Sequence, residues 1–364
     1  MWYNTDTEVF CMKTVSRLIS AAALALLLAL LRGFAKSSAL VFVPLWQPLS
    51  EKILSAVGSV TGAVAFPVWE AVAALLLFWL ISTLIHSLRR VKLLRWLSGV
   101  LLGACVCVFL FMFVWGVGMF VPGKTEKIVT VKEYTIPELR DAAMYYGGQA
   151  AALAASAPRD ADGNLKTPTW EALEDEANDA FERLAAQYPE FSVSRTAVKK
   201  LFPGKLFRHL GADGVFSPFT AEAGVNPDAY APELPAEFCH VLAHRFGAYT
   251  EEDAAFCAYL ACAQSSDPFF RYSGSYAALM SCYRALRAED PALAAELWDT
   301  LPSMVQADIL GADAHDAPYR GAVQETAQKV TAAYLNTLEQ QGVRSYGRVS
   351  DALIAHYQAQ KTAN

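Results

Sequence analysis

The sequence predicts a mainly α-helical protein in which three transmembrane helices precede an all-helical domain outside the cytoplasm. Hydrophobic residues make up 54% of the 364 residues and charged residues only 18%, which is too apolar on average for an ordinary soluble enzyme. The apolar excess lies in the first third of the chain. We therefore expect a membrane domain over residues 1–121, a linker or stalk over 122–135 and a helical domain over 136–364.

Charge separates the same two regions. Residues 1–120 carry nine basic and four acidic side chains, a net charge of +5, whereas the remaining residues carry 21 basic and 32 acidic ones, a net charge of −11. A nucleic-acid binder needs a concentrated basic face to neutralise phosphates, and the polar part of this chain has the opposite sign. We expect no nucleic-acid partner. The apolar and aromatic content also excludes a disordered chain.

Three apolar stretches approach the roughly 20 residues that a transmembrane helix needs. They lie near Leu18–Leu31, Ala63–Ile85 and Trp96–Val121. The first is short and resembles the core of a signal peptide, because Lys13 and Arg17 precede it. We interpret it as retained, since two further spans follow and would anchor the chain in any case. The chain is then a multi-pass protein of the cell membrane, with the lipid bilayer as its first partner.

The orientation of the spans follows from the short loops, because Lys and Arg are retained on the cytoplasmic side. The segment His86–Trp96 holds four basic residues, Arg89, Arg90, Lys92 and Arg95. We place this loop inside. With three spans, everything after Val121 then faces outward. The loop between the first two spans also carries basic residues, and these favour the opposite orientation.

Helical periodicity dominates the outer domain. A brief alternating run at Lys127–Tyr134 is typical of a strand or an extended stalk, and Gly211–Pro235, rich in Gly, Pro and Asp, is expected to be the longest irregular stretch. Several predicted helices begin at Thr, Ser, Asp or Pro. The predicted helices are Pro137–Ala155, Trp170–Gln187, Ser194–Phe202, Pro235–Phe246, Glu251–Gln264, Tyr276–Arg287, Pro291–Trp298, Tyr319–Gln340 and Val349–Ala359.

Four of the seven cysteines lie in the outer domain, at positions 239, 257, 262 and 282. Four thiols outside the cytoplasm can form two disulfide bonds in three connectivities. Each of them, however, lies in an apolar helical pattern in which free buried cysteine is common. Both states stay open.

One segment, residues 239–256, carries a pattern with chemical meaning. His240 and His244 are four residues apart, so a helix places both imidazoles on one face at a separation suited to a single metal ion. Gly247 can adopt the left-handed conformation that ends such a helix.

A second helix is expected immediately afterwards. Thr250 resembles an N-cap, and Thr-x-x-Asp up to Asp253 approximates a capping box. A sharp reversal at the preceding glycine brings this helix back over the first one. Either Glu251 or Asp253 can then supply a third metal ligand.

The spacing has a second interpretation. A His-x-x-x-His pair on an apolar helix is often part of the packed core, and acidic residues favour helix N-termini because of the helix dipole alone. From the residues alone, metal binding and core packing both stay open.

Several further segments resemble one family in the same order along the chain. They are SPFTAEA at 217–223 with Asn226, Leu234-Pro235 ahead of His240, AYLAC at 258–262, RYSG at 271–274 and GVRSYGRV at 342–349. The chain resembles the bacterial domain-of-unknown-function family 3810 over nearly its whole length. These are membrane proteins with three N-terminal spans and an outer domain bearing an HExxH motif of the zinc-metallopeptidase type. The resemblance implies a zincin-like outer domain.

The chain departs from that family at the residue after the first histidine. The family pattern is His-Glu-x-x-His, in which the Glu polarises a zinc-bound water and shuttles its proton. Here Val241 occupies the general-base position. Valine cannot accept a proton, so the resemblance implies that the usual base is absent.

The second helix departs as well. The family signature resembles Glu-x-Glu-Ala-Asn-Phe, and this chain has Glu-Glu-Asp-Ala-Ala-Phe over residues 251–256. By analogy with related zinc peptidases, Glu251 matches the ligand position, and Asp253 is the alternative third ligand. Ala255 lacks the polar group that could orient a ligating histidine.

The resemblance therefore implies a membrane-anchored, zinc-metallopeptidase-like protein that is catalytically degenerate and has a binding or regulatory role. His240, His244 and Glu251 would hold zinc, and the partner would be a peptide or a membrane protein. Two alternatives stay open: an active zinc peptidase with an unconventional base, for which Glu252 and Glu222 are candidates, and a structural membrane protein without metal.

Three residues outside the histidine segment are further site candidates. Glu222 is expected as a loop carboxylate or as a partner that supports a ligand. Arg271 can clamp a substrate carboxylate or belong to a turn between helices. Tyr346 is expected to pack near the cleft, because it lies in one of the segments that match the family.

Overall fold

The computed structural model describes residues 5–90, 92–191, 193–337 and 349–363. The chain is 74% helical, which confirms the predicted mainly α-helical class. It forms two compact units. The first contains Met1–Val121 and Ser217–Glu222, and the second contains Pro122–Phe216 and Ala223–Asn364.

Four long helices and a short 3-10 helix make up most of the first unit. They are α1 (Thr5–Ser37), α2 (Ala39–Thr61), α3 (Val68–Arg89), α4 (Leu93–Val114) and the 3-10 helix Gly116–Phe120. Three stretches within them are long and apolar enough to cross a membrane: Met12–Ser37, Val68–Arg89 and Leu93–Val114. The three predicted spans are therefore confirmed as apolar helices, with shifted ends.

Helix α2 is a difference from the sequence prediction, which expects a loop between the first two spans. The helix contains Pro44 and Pro48, each of which removes a backbone donor. Tertiary contacts offset this cost. The Trp46 indole donates to the Phe113 carbonyl, and Ser50 Oγ donates to the Val114 carbonyl at 2.5 Å. Carbonyls in the last turn of a helix have no partner within it, so α2 satisfies two of these groups at the end of α4.

Eleven α-helices are described in the second unit, besides a 3-10 helix at Ala317–Tyr319. They are α5 (Lys124–Ile128), α6 (Ile136–Ala154), α7 (Trp170–Gln187), α8 (Gly204–Leu210), α9 (Leu234–Arg245), α10 (Glu251–Gln264), α11 (Pro268–Glu289), α12 (Pro291–Thr300), α13 (Ser303–Asp316), α14 (Ala322–Thr337) and α15 (Val349–Ala363). Polar caps fix several starts. Thr135 and Glu138 form a capping box at α6, and Thr169 caps α7. These starts agree closely with the predicted ones.

A small sheet is the second difference from the prediction. Strands β1 (Val198–Lys200), β2 (Gly214–Ser217) and β3 (Glu222–Val225) are arranged in the order β1-β3-β2. Strand β1 pairs in parallel with β3, with Val198 opposite Ala223. The helix predicted over residues 194–202 is therefore wrong, and the stretch predicted as irregular contains two strands.

The connection after the first unit is also more regular than predicted. Residues 124–128 are helical, and residues 122–123 and 129–135 are irregular. Helices α8 and α13 were not predicted either. Helix α13 begins directly after Pro302.

Helices α9, α10 and α11 form the centre of the second unit. Their side chains supply many of its fully buried residues, including Phe238, Phe256 and Tyr272. The four cysteines at 239, 257, 262 and 282 are buried here as free thiols, in agreement with the second of the two states that the sequence leaves open.

Candidate metal centre

Helix α9 places two histidines on one face. Pro235 lies in its first turn, where the missing N–H costs nothing. His240 and His244 follow one turn apart, with ring centroids 4.8 Å apart and planes nearly perpendicular. His240 is partly exposed, whereas only 7% of the His244 surface is accessible.

The end of α9 reverses the chain tightly. Gly247 has φ +88°, a conformation that other residues adopt only at a cost. Its N–H donates to the His244 carbonyl at 2.9 Å, and the N–H of Ala248 donates to the Ala243 carbonyl at 2.9 Å. These two bonds form a Schellman motif. The reversal leads directly to α10, which Thr250 caps by accepting from the Asp253 N–H at 3.2 Å.

The reversal brings Glu251 to both histidines. Its Oε2 lies 3.1 Å from His240 Nε2, and its Oε1 lies 3.5 Å from His244 Nε2. One ligand atom from each of the three residues lies within 4.8 Å of the others. The Glu251 side chain is 61% exposed, so the three-residue group is open to solvent on one side.

The hydrogen bonds of His244 fix its tautomer. Nδ1 lies 2.8 Å from the carbonyl oxygen of Ala248, and because a carbonyl only accepts, Nδ1 donates. In a neutral ring, Nε2 then carries a lone pair and faces a Glu251 oxygen, which is also an acceptor. A cation between these two atoms, either a proton or a metal ion, resolves the conflict.

The pKa shifts favour a neutral imidazole beside an ionised carboxylate. Burial lowers the pKa of His240, although Glu251 opposes this effect. Partial burial disfavours ionisation of Glu251, but its close contacts with His240 and His244 outweigh this effect and lower its pKa below the ordinary value. Metal ions bind neutral imidazole and ionised carboxylate, and two histidines with one carboxylate match a three-ligand zinc site with an open position.

Val241 is fully buried beside this group. A methyl group built on Gly214, the first residue of β2, would lie 2.6 Å from Cγ1 of Val241 and 3.0 Å from Oε2 of Glu237. The side chains of Val241 and Glu237 therefore both lie next to Gly214 of β2. Val241 supplies an apolar surface in the position that the resemblance assigns to a base.

Glu237 is a residue that the sequence reasoning missed. It lies in α9, one turn before Val241, and burial raises its pKa to about 8, with Asp213 and Glu233 contributing. Its spacing of three residues from His240 and seven from His244 puts it on the same helical face. That spacing could have identified Glu237 as a candidate. Its relevance to the site depends on the approach of β2, which the sequence does not reveal.

Asp253, predicted as the alternative third ligand, does not belong to the three-residue group. Its carboxylate accepts from the backbone N–H groups of Lys124 and Thr125 at 3.1 and 2.7 Å, and from the Thr125 hydroxyl at 2.7 Å. It therefore caps the first turn of α5, where unpaired N–H groups attract a carboxylate.

The other predicted candidates occupy separate places. The Glu222 carboxylate belongs to the first unit, where it accepts from the N–H groups of Val68 and Trp69, both at 2.9 Å, and so caps α3. Arg271 donates to the carbonyls of Ser265 and Ser266, both at 3.0 Å, and stabilises the turn between α10 and α11. Tyr346 lies outside the described residues.

Comparison with known proteins identifies one family. No curated protein and no solved structure matches the chain significantly. The profile of a family described as "Protein of unknown function (DUF3810)" matches residues 47–354, a range that begins in α2 and ends in α15. Because this range covers far more than half of the sequence, the chain belongs to the DUF3810 family.

Proposed function

We propose that this protein is a membrane-anchored, zinc-metallopeptidase-like protein that keeps its metal site but has lost its catalytic base, and that it binds or regulates a peptide or another membrane protein. The observation that carries the proposal is the convergence of His240, His244 and Glu251 beside the buried Val241. A site with three metal ligands and no general base favours binding of a peptide over its hydrolysis.

The three residues would hold zinc through two imidazole Nε2 atoms and one carboxylate. When bound, zinc supplies Lewis-acid polarisation of a water or a carbonyl group. The chain itself contributes orientation, because the Ala248 carbonyl holds the His244 ring with Nε2 facing Glu251. Such outer hydrogen bonds fix the tautomer of a ligating histidine.

The loss of the base explains why we propose binding. General acid–base groups contribute about 10²–10⁴-fold to the rate, and the Val241 methyl groups cannot take a proton. A peptide could still approach the solvent-exposed side of the three residues without being cleaved. The site would then retain peptides rather than release products.

Metal analysis of the full-length protein in detergent tests the site. We expect about one zinc ion per chain, following the one group of three ligands among the described residues. His240→Ala should lose it, and His209→Ala, an exposed histidine of α8, is the matched control. Equal zinc content in both variants, or none in the unchanged protein, would favour the structural alternative without metal.

A second candidate function is an active zinc peptidase with an unconventional base. Glu237 favours it, since its carboxylate borders the Val241 side chain at β2. Glu237 lies one turn before Val241 on α9, and its carboxylate, when deprotonated, could serve as the proton acceptor of this site. Hydrolysis of a mixed peptide library by the unchanged protein, abolished by Glu237→Gln and by a chelator, would establish this function.

The membrane topology is part of the proposal. Four basic residues flank the turn between α3 and α4, at positions 89, 90, 92 and 95, and basic loops stay in the cytoplasm. The domain that follows Val121 would then lie outside. Reporter fusions at Arg90 and Lys124 should give opposite signals, and a cytoplasmic signal at Lys124 would contradict this orientation.

A further inference from the structure

We infer that the first unit carries a binding site for a phosphate group, most simply that of an anionic phospholipid. The site is a cavity of about 620 Å³ among α1, α3 and α4. Four basic side chains line it: Arg17, Arg90, Lys92 and Arg95. The inference rests on the proposed membrane location but is independent of the metal centre.

The charge in the cavity has no counter-ion in the described part of the chain. No acidic residue lines it, and among the described residues none of these four basic side chains forms an ion pair with a carboxylate. Arg90 and Lys92 are exposed, but Arg17 and Arg95 are half-buried, and like charges repel more strongly there than in bulk water. An anion in the cavity would relieve this repulsion.

One guanidinium is held in place. Arg17 Nη1 donates to the Arg95 carbonyl at 2.9 Å. It can approach α4 because Gly99 has no side chain: a methyl group there would lie 3.3 Å from Arg17 Nη1. A guanidinium has five N–H donors, so the fixed group keeps donors for a phosphate, which arginine binds in a bidentate manner.

A buried hydroxyl supports the assignment. Ser87 lines the cavity with only 6% of its surface accessible, and its Oγ has no hydrogen-bond partner in the described structure. An unpaired buried hydroxyl is unfavourable. A phosphate oxygen in the cavity could accept from it.

The position of the cavity favours a lipid over a soluble ion. Its basic residues surround the turn between α3 and α4, where two helices able to cross a membrane end and begin. Trp96 lines the same cavity and donates to Thr83 Oγ1 at 3.0 Å. Tryptophan prefers the depth of lipid head groups, and basic pockets between transmembrane helices bind anionic head groups.

The test measures ligand retention by the full-length protein in detergent, using native mass spectrometry and thermal unfolding. The probes are phosphatidylglycerol, phosphatidylcholine and inorganic phosphate at constant ionic strength. We expect retention of phosphatidylglycerol over phosphatidylcholine. The double variant Arg17→Gln, Arg95→Gln should bind it roughly 25-fold more weakly, about fivefold for each charge removed.

The control variant is Arg89→Gln. It removes a positive charge near the same turn, and Arg89 does not line the cavity. If the double variant does not fold, Ser87→Ala with Lys92→Gln tests the same site with smaller changes. Phosphatidylglycerol-specific binding supports the lipid as the source, and competition by inorganic phosphate supports a soluble phosphate in the same site.

Equal retention of the two lipids, or equal loss in the control and cavity variants, would overturn the inference. Zinc content measured on the same preparations separates this result from the metal proposal, because the cavity variants lie outside the metal-binding group. A change in lipid retention with unchanged zinc is the expected outcome.

Discussion

His244 presents its Nε2 to Oε1 of Glu251 at 3.5 Å, and this contact joins the end of one helix to the start of the next. The other ring nitrogen, Nδ1, donates to the Ala248 carbonyl, and Ala248 lies in the segment that connects the two helices. Five residues separate α9 from α10, so a short local segment sets the geometry of the group. The arrangement is typical of a site whose coordinating side chains are oriented before a metal ion binds.

The identity of the third ligand gives the first prediction. Glu251→Gln removes the carboxylate that contacts both histidines, so we expect zinc affinity to fall by more than the roughly 10–100-fold that loss of a supporting group costs. Asp253→Asn should leave zinc affinity unchanged and lower the free energy of unfolding by about 1–3 kcal/mol, because it weakens the cap on α5. Zinc titration and thermal unfolding measure the two effects. Zinc loss in the Asp253 variant with retention in the Glu251 variant would reverse our assignment.

The turn at Gly247 gives the second prediction. With φ +88°, Gly247→Ala should lower the free energy of unfolding by about 1–2 kcal/mol. The cause is the backbone conformation and not a clash, since the nearest heavy atom to an added methyl group lies 3.8 Å away. Zinc affinity should fall as well, because the Ala248 carbonyl shifts. Gly148→Ala, in the middle of α6 with open space around it, should be neutral or stabilising, and equal effects at both glycines would contradict the account.

The half-buried carboxyl of Glu237 gives the third prediction. Its pKa is raised from 4.5 to about 8 in the folded protein, so the folded state binds more protons than the unfolded state between these values. The free energy of unfolding should therefore fall as pH rises from 4.5 to 8, with a limiting slope of about 1.4 kcal/mol per pH unit. Chemical denaturation in the presence of a chelator measures the slope. Glu237→Gln should make the slope shallower but not abolish it, because the pKa of Glu233 is also raised, to about 7, and an unchanged slope would show that Glu237 titrates normally.

The sequence predicts most of the helices around the candidate metal centre because local signals set their ends. Pro235 begins α9, Gly247 reverses the chain, and Thr250 begins α10. Long-range contacts account for what the sequence could not predict. Strand β1 exists because Val198 pairs with Ala223, and Asp253 finds its partners at Lys124 and Thr125, more than 120 residues earlier.

Glu237 and α2 illustrate the same limit. The importance of Glu237 depends on the approach of Gly214, in a strand that the sequence does not predict. Helix α2 forms despite two prolines because its Trp46 and Ser50 side chains bond the end of α4. In both cases the deciding contact joins segments that are distant in the sequence.

The most direct test of a retained metal site without a base is peptide hydrolysis by the Val241→Glu variant. Full-length protein in detergent with zinc would be assayed on a mixed peptide library, with and without a chelator. The control is Val241→Gln, because Gln has the same size as Glu but cannot act as a base. We predict background hydrolysis by the unchanged protein and the Gln variant, and chelator-sensitive hydrolysis by the Glu variant, within the roughly 10²–10⁴-fold that a general base contributes. Adding Ala255→Asn should increase the rate if a polar group there orients a ligand. Substantial chelator-sensitive hydrolysis by the unchanged protein would contradict the account.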